Sequence, residues 1–281
     1  MPFIVTNDGY GQMCNKIFNQ MNVISTGLEK KQKVFYYNFD RYTSFSYDQS
    51  DINDILIMKK KNILSKVGLL YCKKKADFRG YYLNINSQFS SEVFLGKNIN
   101  FSKKIYISGW PFVNLRGLRK YKKEIEQFFS ATQEMEKIMK EKLYEVKKGS
   151  ILIGVHIRRG DYRNWRNGEY FFDDEIYKWY IDQLVKCFPN KNLTVFIFSN
   201  EVVNKSFFLD NNYDLIIPNG TAEEDFHLMT KMDYIIGPPS TFSGVASFLK
   251  NIPRYIIKER NKSIDLAKMK IWLMETDCDG N

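Results

Sequence analysis

Ile151-Leu152-Ile153-Gly154-Val155-His156-Ile157-Arg158-Arg159-Gly160-Asp161-Tyr162 is the stretch that decides the fold. An apolar, β-branched run reads as a buried strand, and a charged turn follows it without a spacer. Strand alternation sends His156 and Arg158 to one face, while Arg159 begins the loop. Gly160 lets the backbone turn tightly there. Working outward, Asp174–Cys187 reads as a helix. Leu193–Phe198, Tyr213–Ile217, Tyr234–Ile236 and Arg254–Ile257 read as short strands. Helices are expected at about residues 201–209, 223–232, 242–250 and 263–274. Strand and helix in alternation imply a parallel sheet covered on both faces, with ligands at the carboxyl ends of its strands.

The first half is less patterned. Phe3–Thr6 reads as a strand, Asp8–Gly11 as a turn, Met13–Leu28 as a helix and Val34–Tyr37 as the next strand. Tyr42 to Ser108 is rich in Lys, Asn, Ser and Tyr with weak periodicity. Glu124–Lys147 reads as one charged amphipathic helix, and Gly149-Ser150 marks a boundary. The domains are therefore expected at 1–149 and 150–281, which suits a chain of 281 residues.

With 44% apolar and 26% charged residues, the composition excludes a disordered tail, a collagen-like repeat and a disulfide-framed module. The formal charge is +10, so a polyanionic partner has to be weighed. That surplus is uneven: residues 1–150 hold 26 basic and 14 acidic side chains, the remainder 16 and 18. No nucleic-acid motif accompanies the lysines; the reading is of a chain that binds no nucleic acid, with a basic nucleic-acid-binding protein as the alternative. Cys14, Cys72, Cys187 and Cys278 form no CxxC pair or zinc-ligand spacing, so free thiols in a reducing compartment are expected. The opening Met1-Pro2-Phe3-Ile4-Val5-Thr6 lacks the features of a signal peptide, and no apolar run approaches the ~20 residues of a membrane span. A cytoplasmic protein is expected, with peripheral contact to an anionic inner membrane surface through its lysines.

Three polar clusters carry the chemistry. In the first, Arg158 and Arg159 offer planar, permanently charged forks for phosphate oxygens. Asp161 can brace an arginine or act as a base, and the plainer alternative is a surface ion pair. The second runs from Glu223-Glu224-Asp225-Phe226-His227 to Gly237-Pro238-Pro239-Ser240-Thr241-Phe242-Ser243-Gly244. There a helix opens with hydroxyl caps, and its free amides suit phosphate; alternatively Ser240 is only a cap and His227 a structural histidine. The third is Gly9-Tyr10-Gly11-Gln12-Met13-Cys14-Asn15, a glycine loop between strand and helix, either a site loop or a plain tight turn.

Together His156–Asp161 as HxRRGD, Phe198-Ser199-Asn200, Asp225 with Leu228-Met229, Ser240-Thr241-Phe242-Ser243 and Gly11–Asn19 resemble, in order, the motifs of glycosyltransferase family 11. This is the α1,2-fucosyltransferase family, within the wider α1,2/α1,6/O-fucosyltransferase group. The resemblance implies a GT-B-like α/β fold of two Rossmann-like domains facing across a cleft, the second holding the donor GDP-fucose and the first the acceptor. It implies that Arg158 and Arg159 neutralise the leaving pyrophosphate and that His156 contacts nucleotide or phosphate. Asp225 would read the guanine edge. Ser240, Thr241 and the Phe242 backbone would hold phosphate oxygens, with Ser199 also on the donor side. Gly11 and Asn15 would form a loop across from the donor.

The implied reaction is inverting transfer of fucose to a hydroxyl, a galactoside 2-OH, of a bacterial surface glycan such as lipopolysaccharide or capsule. The acceptor would be an oligosaccharide or a lipid-linked glycan. Arginines and helix-end amides stabilise the departing phosphate, so neither a metal nor a cofactor is expected. The only DxD, Asp277-Cys278-Asp279, lies in a terminal segment. Asp161 is the first candidate for base and Glu169 the second. Cys14 replaces a family glycine, and Gly244 stands where a tryptophan often follows Phe-Ser. A different acceptor, linkage or nucleotide-sugar donor on the same scaffold stays open.

Overall fold

A computed structural model describes residues 3–7, 11–37, 42–46, 55–58, 81–85, 105–109 and 112–271. The chain divides into two compact units, Met1–Thr132 and Gln133–Asn281. Among the described residues each holds a five-stranded parallel sheet, the mixed α/β class that the sequence predicts.

The first unit contains β1 (Phe3–Asn7), α1 (Met13–Lys30), β2 (Lys33–Tyr37), β3 (Ile55–Met58), β4 (Tyr81–Ile85), β5 (Ile105–Gly109), α2 (Leu115–Lys120) and α3 (Lys122–Phe128). Its strand order is β3-β2-β1-β5-β4. Helix α1 is buried over most of its length, including Asn19, Asn22 and Thr26. Those polar groups have partners. Asn19 Oδ1 accepts from the Phe112 N–H at 3.1 Å, Asn22 Oδ1 accepts from the Asn114 N–H at 2.6 Å, and Asn114 Nδ2 donates to Thr26 Oγ1 at 2.9 Å. Each would cost about 1–3 kcal/mol if left unmatched, so this ladder fixes the segment after β5 onto α1.

The single helix expected over Glu124–Lys147 is instead two, α3 and α4 (Gln133–Lys142). The break is made by backbone pairing. Phe45 bridges Ala131, the Ser46 N–H donates to the Ser130 carbonyl, and the Thr132 N–H to the Ser44 carbonyl. Extended pairing over 130–132 is incompatible with continuing the helix.

The second unit runs α4, β6 (Ile151–Ile157), α5 (Asp174–Lys186), β7 (Leu193–Ser199), α6 (Lys205–Phe208), β8 (Asp214–Ile216), α7 (Ala222–Met229), β9 (Tyr234–Gly237), α8 (Thr241–Lys250) and β10 (Arg254–Ile256). Its order is β10-β9-β6-β7-β8. The strand order therefore reverses between β6 and β9, the place where doubly wound sheets bind ligands.

Period-two alternation along β6 assigns its two faces. Ile153, Val155 and Ile157 join the core with Tyr177, Tyr180, Ile181 and Leu184 of α5. Burying each such apolar side chain contributes about 1.5–3 kcal/mol. Gly154 and His156 face the other way. A Cβ on Gly154 would lie 2.9 Å from Met232, and His156 meets α8. Gly237 is glycine for a similar reason: a Cβ there would sit 2.6 Å from the His156 carbonyl oxygen.

Two expected helices are corrected. Over 201–209 only Lys205–Phe208 is helical. Over 263–274 the described residues hold a single 3-10 turn, Leu266–Lys268, because Lys270 pairs with Arg254 in an antiparallel bridge. Among the described residues no helix is long and apolar enough to cross a membrane.

Candidate functional site

The two arginines after β6 part company. Arg158 continues the His156 face: its Nη2 pairs with Asp161 Oδ1 at 2.8 Å, and its guanidinium lies 5.7 Å from the Tyr162 ring centroid. Arg159 turns to the α5 face. Its Nη2 pairs with Asp174, its Nε donates to the Phe172 carbonyl at 3.1 Å, and its side chain is only 13% exposed against 27% for Arg158. Arg158 thus presents charge towards solvent, while Arg159 holds the loop to the start of α5.

The loop backbone is fixed by groups from two neighbours. The Arg158 N–H donates to the Tyr177 hydroxyl at 3.3 Å, the Arg159 N–H to Asn200 Oδ1 at 2.9 Å, and the Gly160 N–H to Glu201 Oε1 at 3.0 Å. Gly160 has φ +52°, a left-handed turn that suits glycine. Ser199 caps the facing turn, its Oγ accepting from the Glu201 N–H at 3.1 Å. Asp161 is exposed beside Arg158. Glu169 is exposed at the end of a stretch in which Arg166, Asn167 and Gly168 are all left-handed.

At the end of β9 the chain makes the Gly237-Pro238-Pro239-Ser240 turn and enters α8. Ser240 is the cap, its Oγ accepting from the Phe242 N–H at 3.2 Å. His156 Nδ1 lies 3.2 Å from Ser243 Oγ, and its ring is 5.2 Å from that of Phe242. Burial, then the Arg254 and Arg158 cations, hold His156 well below the ordinary imidazole range, so its ring is neutral. These contacts join the β6 end to the first turn of α8, bringing His156, Arg158, Asp161, Ser240, Thr241 and Phe242 to adjacent strand ends. Thr241 opens the helix.

Asp225 lies on α7, whose start is a capping box between Thr221 and Glu224. Burial lifts its carboxyl up to about 6, opposed by the Lys142 cation and a Gly220 backbone hydrogen bond. Its Oδ1 is buried without a hydrogen-bond partner, a carboxylate oxygen left over by the fold. His227 is buried, and burial lowers its imidazole to about 4. Gly11, with φ +69°, and Asn15 sit together at the start of α1 in the first unit. Asp277-Cys278-Asp279 and Cys72 lie outside the described residues; Cys14 is buried, and Cys187 is a partly buried free thiol.

Sequence reading missed Asn200 and Glu201 as loop supports, Tyr177 and, most consequentially, Arg254. That arginine is 2% exposed, and its Nη2 donates to the Pro238 carbonyl at 2.7 Å. A basic residue inside the apolar run Ile252–Ile257 was the available signal. A concavity of about 670 Å³ lined by Asp182, Lys186, Asn190 and Leu193 lies at the amino end of β7. It is at the wrong end of the strands for the rule that locates ligands in such sheets.

Residues 26–270 match the family described as Glycosyl transferase family 11. No curated protein sequence matches the chain. Solved structures share its fold. The fucosyltransferase NodZ from Bradyrhizobium is 12% identical at a TM-score of 0.62, covering 93% of this chain and 97% of that one. A mutant of Arabidopsis thaliana FUT1 in complex with GDP is 12% identical at 0.60, covering 96% and 73%. POFUT1 in complex with GDP-fucose is 10% identical at 0.56, covering 92% and 99%. At these identities the likeness is one of fold.

Proposed function

The chain belongs to glycosyltransferase family 11, and from that premise we propose that it transfers L-fucose from GDP-fucose, with inversion, to a hydroxyl of a bacterial surface glycan, a galactoside 2-OH. One observation carries the reading. Arg158 and the amide-rich first turn of α8 stand at the ends of the adjacent parallel strands β6 and β9, where the strand order reverses. Guanidinium charge and helix-end dipoles converge there, the combination that binds phosphate oxygens. The orphaned carboxylate oxygen of Asp225 suits the N1–H and N2–H₂ donors of guanine. Structures of similar fold hold GDP or GDP-fucose.

In the proposed reaction the acceptor oxygen bonds to fucose C1 as the bond from C1 to the β-phosphate oxygen breaks. The bonding pair leaves with GDP. Arg158 and the α8 amides stabilise the charge that develops on the phosphate, without a metal or cofactor. The acceptor proton passes to Asp161; Glu169 or the departing phosphate is the alternative acceptor. Protonating Asp161 weakens its hold on Arg158 and releases that guanidinium to the leaving group. Arg159, through Asp174 and Phe172, keeps the loop in place. The excess of lysine in residues 1–150 supports peripheral docking on an anionic cytoplasmic membrane surface, where a lipid-linked acceptor would be met.

A thermal-shift screen with GDP, GDP-fucose, GDP-mannose, UDP and CMP-sugars tests the donor assignment. Stabilisation by GDP and GDP-fucose is expected. Stabilisation by UDP and not by GDP would overturn it. A different acceptor or linkage is the second reading, favoured by Cys14 and by Gly244, which is buried within α8.

A further inference from the structure

Two successive prolines give the Gly237–Ser240 turn carbonyls without the matching N–H donors, and each proline carbonyl is held by a side chain from a distant part of the second unit. Arg254 of β10 donates Nη2 to the Pro238 carbonyl at 2.7 Å. The Tyr162 hydroxyl donates to the Pro239 carbonyl, and the Ser240 side chain also hydrogen-bonds that phenol. Both holders are buried, Arg254 at 2% exposure and Tyr162 at 8%. Burial pushes the Tyr162 phenol up to about 12, so it remains a donor at working pH. Tyr162 also lies under the Arg158 guanidinium, so it touches both halves of the site described above.

We propose that Arg254 and Tyr162 are positioning residues for the donor diphosphate. By drawing both proline carbonyls towards the protein interior, they aim the first-turn amides of α8 outward, and Tyr162 sets Arg158 in the same arrangement. Neither residue needs to touch the donor. Arg254 adds a fixed positive charge behind the turn, at a range where it already acts on His156. This inference rests on the donor reading given above.

The experiment compares GDP with guanosine, which keeps the base and lacks phosphate, by competition against a fluorescent GDP analogue. Wild type, Tyr162→Phe, Arg254→Lys and Arg254→Met are measured, alongside thermal melts and KM and kcat for GDP-fucose. Tyr162→Phe is expected to weaken GDP about tenfold and to raise the KM for GDP-fucose, while guanosine changes by less than about twofold. Arg254→Met is expected to lose more, with partial recovery in Arg254→Lys. Equal loss of GDP and guanosine affinity would reduce both residues to structural supports and overturn the inference. Unchanged GDP affinity in Tyr162→Phe, with wild type binding GDP, would overturn it while leaving the donor reading intact. Failure of wild type to bind GDP would overturn both. Should the Arg254 variants fail to fold, Tyr162→Phe, which removes one oxygen atom, decides.

Discussion

In the proposed reaction the ends of β6 and β9 would meet the same electrostatic task with different means. The β6 end uses a guanidinium, Arg158, partly exposed and tethered to Asp161. The β9 end uses a fixed turn whose helix amides and hydroxyls are set by buried partners, His156 on Ser243 and Arg254 on Pro238. A tethered charge can follow a leaving group as its charge grows. A dipole array braced by buried partners is held in place and needs no reorganisation when charge develops. Within the proposed reaction, the changing part of catalysis would fall to β6 and the constant part to β9.

Arg158→Ala should break that division most visibly. Turnover is expected to fall by about 10²–10³-fold or more, with the far-ultraviolet spectrum and melting temperature nearly unchanged; near-normal turnover would remove Arg158 from the mechanism. Next comes Asp225→Asn on the β9 side. GDP affinity should fall by roughly tenfold or more, since a charge-assisted pair contributes about 1.5–3 kcal/mol. Wild-type affinity for GDP-fucose, whose capped pyrophosphate does not titrate in that range, should itself weaken as pH falls below 6, and the variant should lack that loss.

The same substitution should raise the stability of the empty protein at pH 7. The folded carboxyl, at about 6, holds its proton more tightly than the unfolded one, so its destabilising effect is full above 6 and fades as pH falls towards 4. With screening by solvent at a partly exposed group, the gain is about 1–2 kcal/mol. A variant melting below wild type at pH 7 would contradict the burial argument.

Arg159→Ala should be read first in stability. Losing a mostly buried pair with Asp174 costs roughly 3 kcal/mol, seen as a fall in melting temperature of roughly 6–12 °C. Ser240→Ala should have the smallest effect, about 1 kcal/mol of cap energy and a GDP affinity lowered by a few-fold. A larger loss there than in Arg158→Ala would reverse the ranking of the two strand ends.

What the sequence discloses follows from the range of the interactions. Alternation along Ile151–Ile157 is local, so it placed His156 and Arg158 on one face and located the turn. The same period, carried one residue further, explains why Arg159 leaves for α5. The helix expected from about residue 223 starts at Ala222, where Thr221 and Glu224 form its capping box. Arg254 and Tyr177 act across more than fifteen residues of chain, through carbonyls and hydroxyls that no periodicity marks. The breaks at 130–132 and around Lys270 come from backbone pairing with distant segments, which overrode a helical pattern of charge in Glu124–Lys147. Buried asparagines on α1 were unreadable for a related reason: their partners are backbone groups near Phe112 and Asn114.

The bridge between Arg254 and Lys270 has a bearing on assembly. An open edge of three residues, β10, would offer unpaired backbone groups to a strand of another molecule. Instead the Arg254 N–H donates to the Lys270 carbonyl at 2.9 Å, so the returning chain pairs with the first residue of that edge. Arg254 therefore pairs the edge at its first residue with its main chain and holds the proline turn with its side chain. Removing the chain from residue 265 onward would expose an edge prone to self-association and slacken the turn at once. Part of the cover on that edge and one anchor of the proline turn thus fall, in this unit, to the same residue.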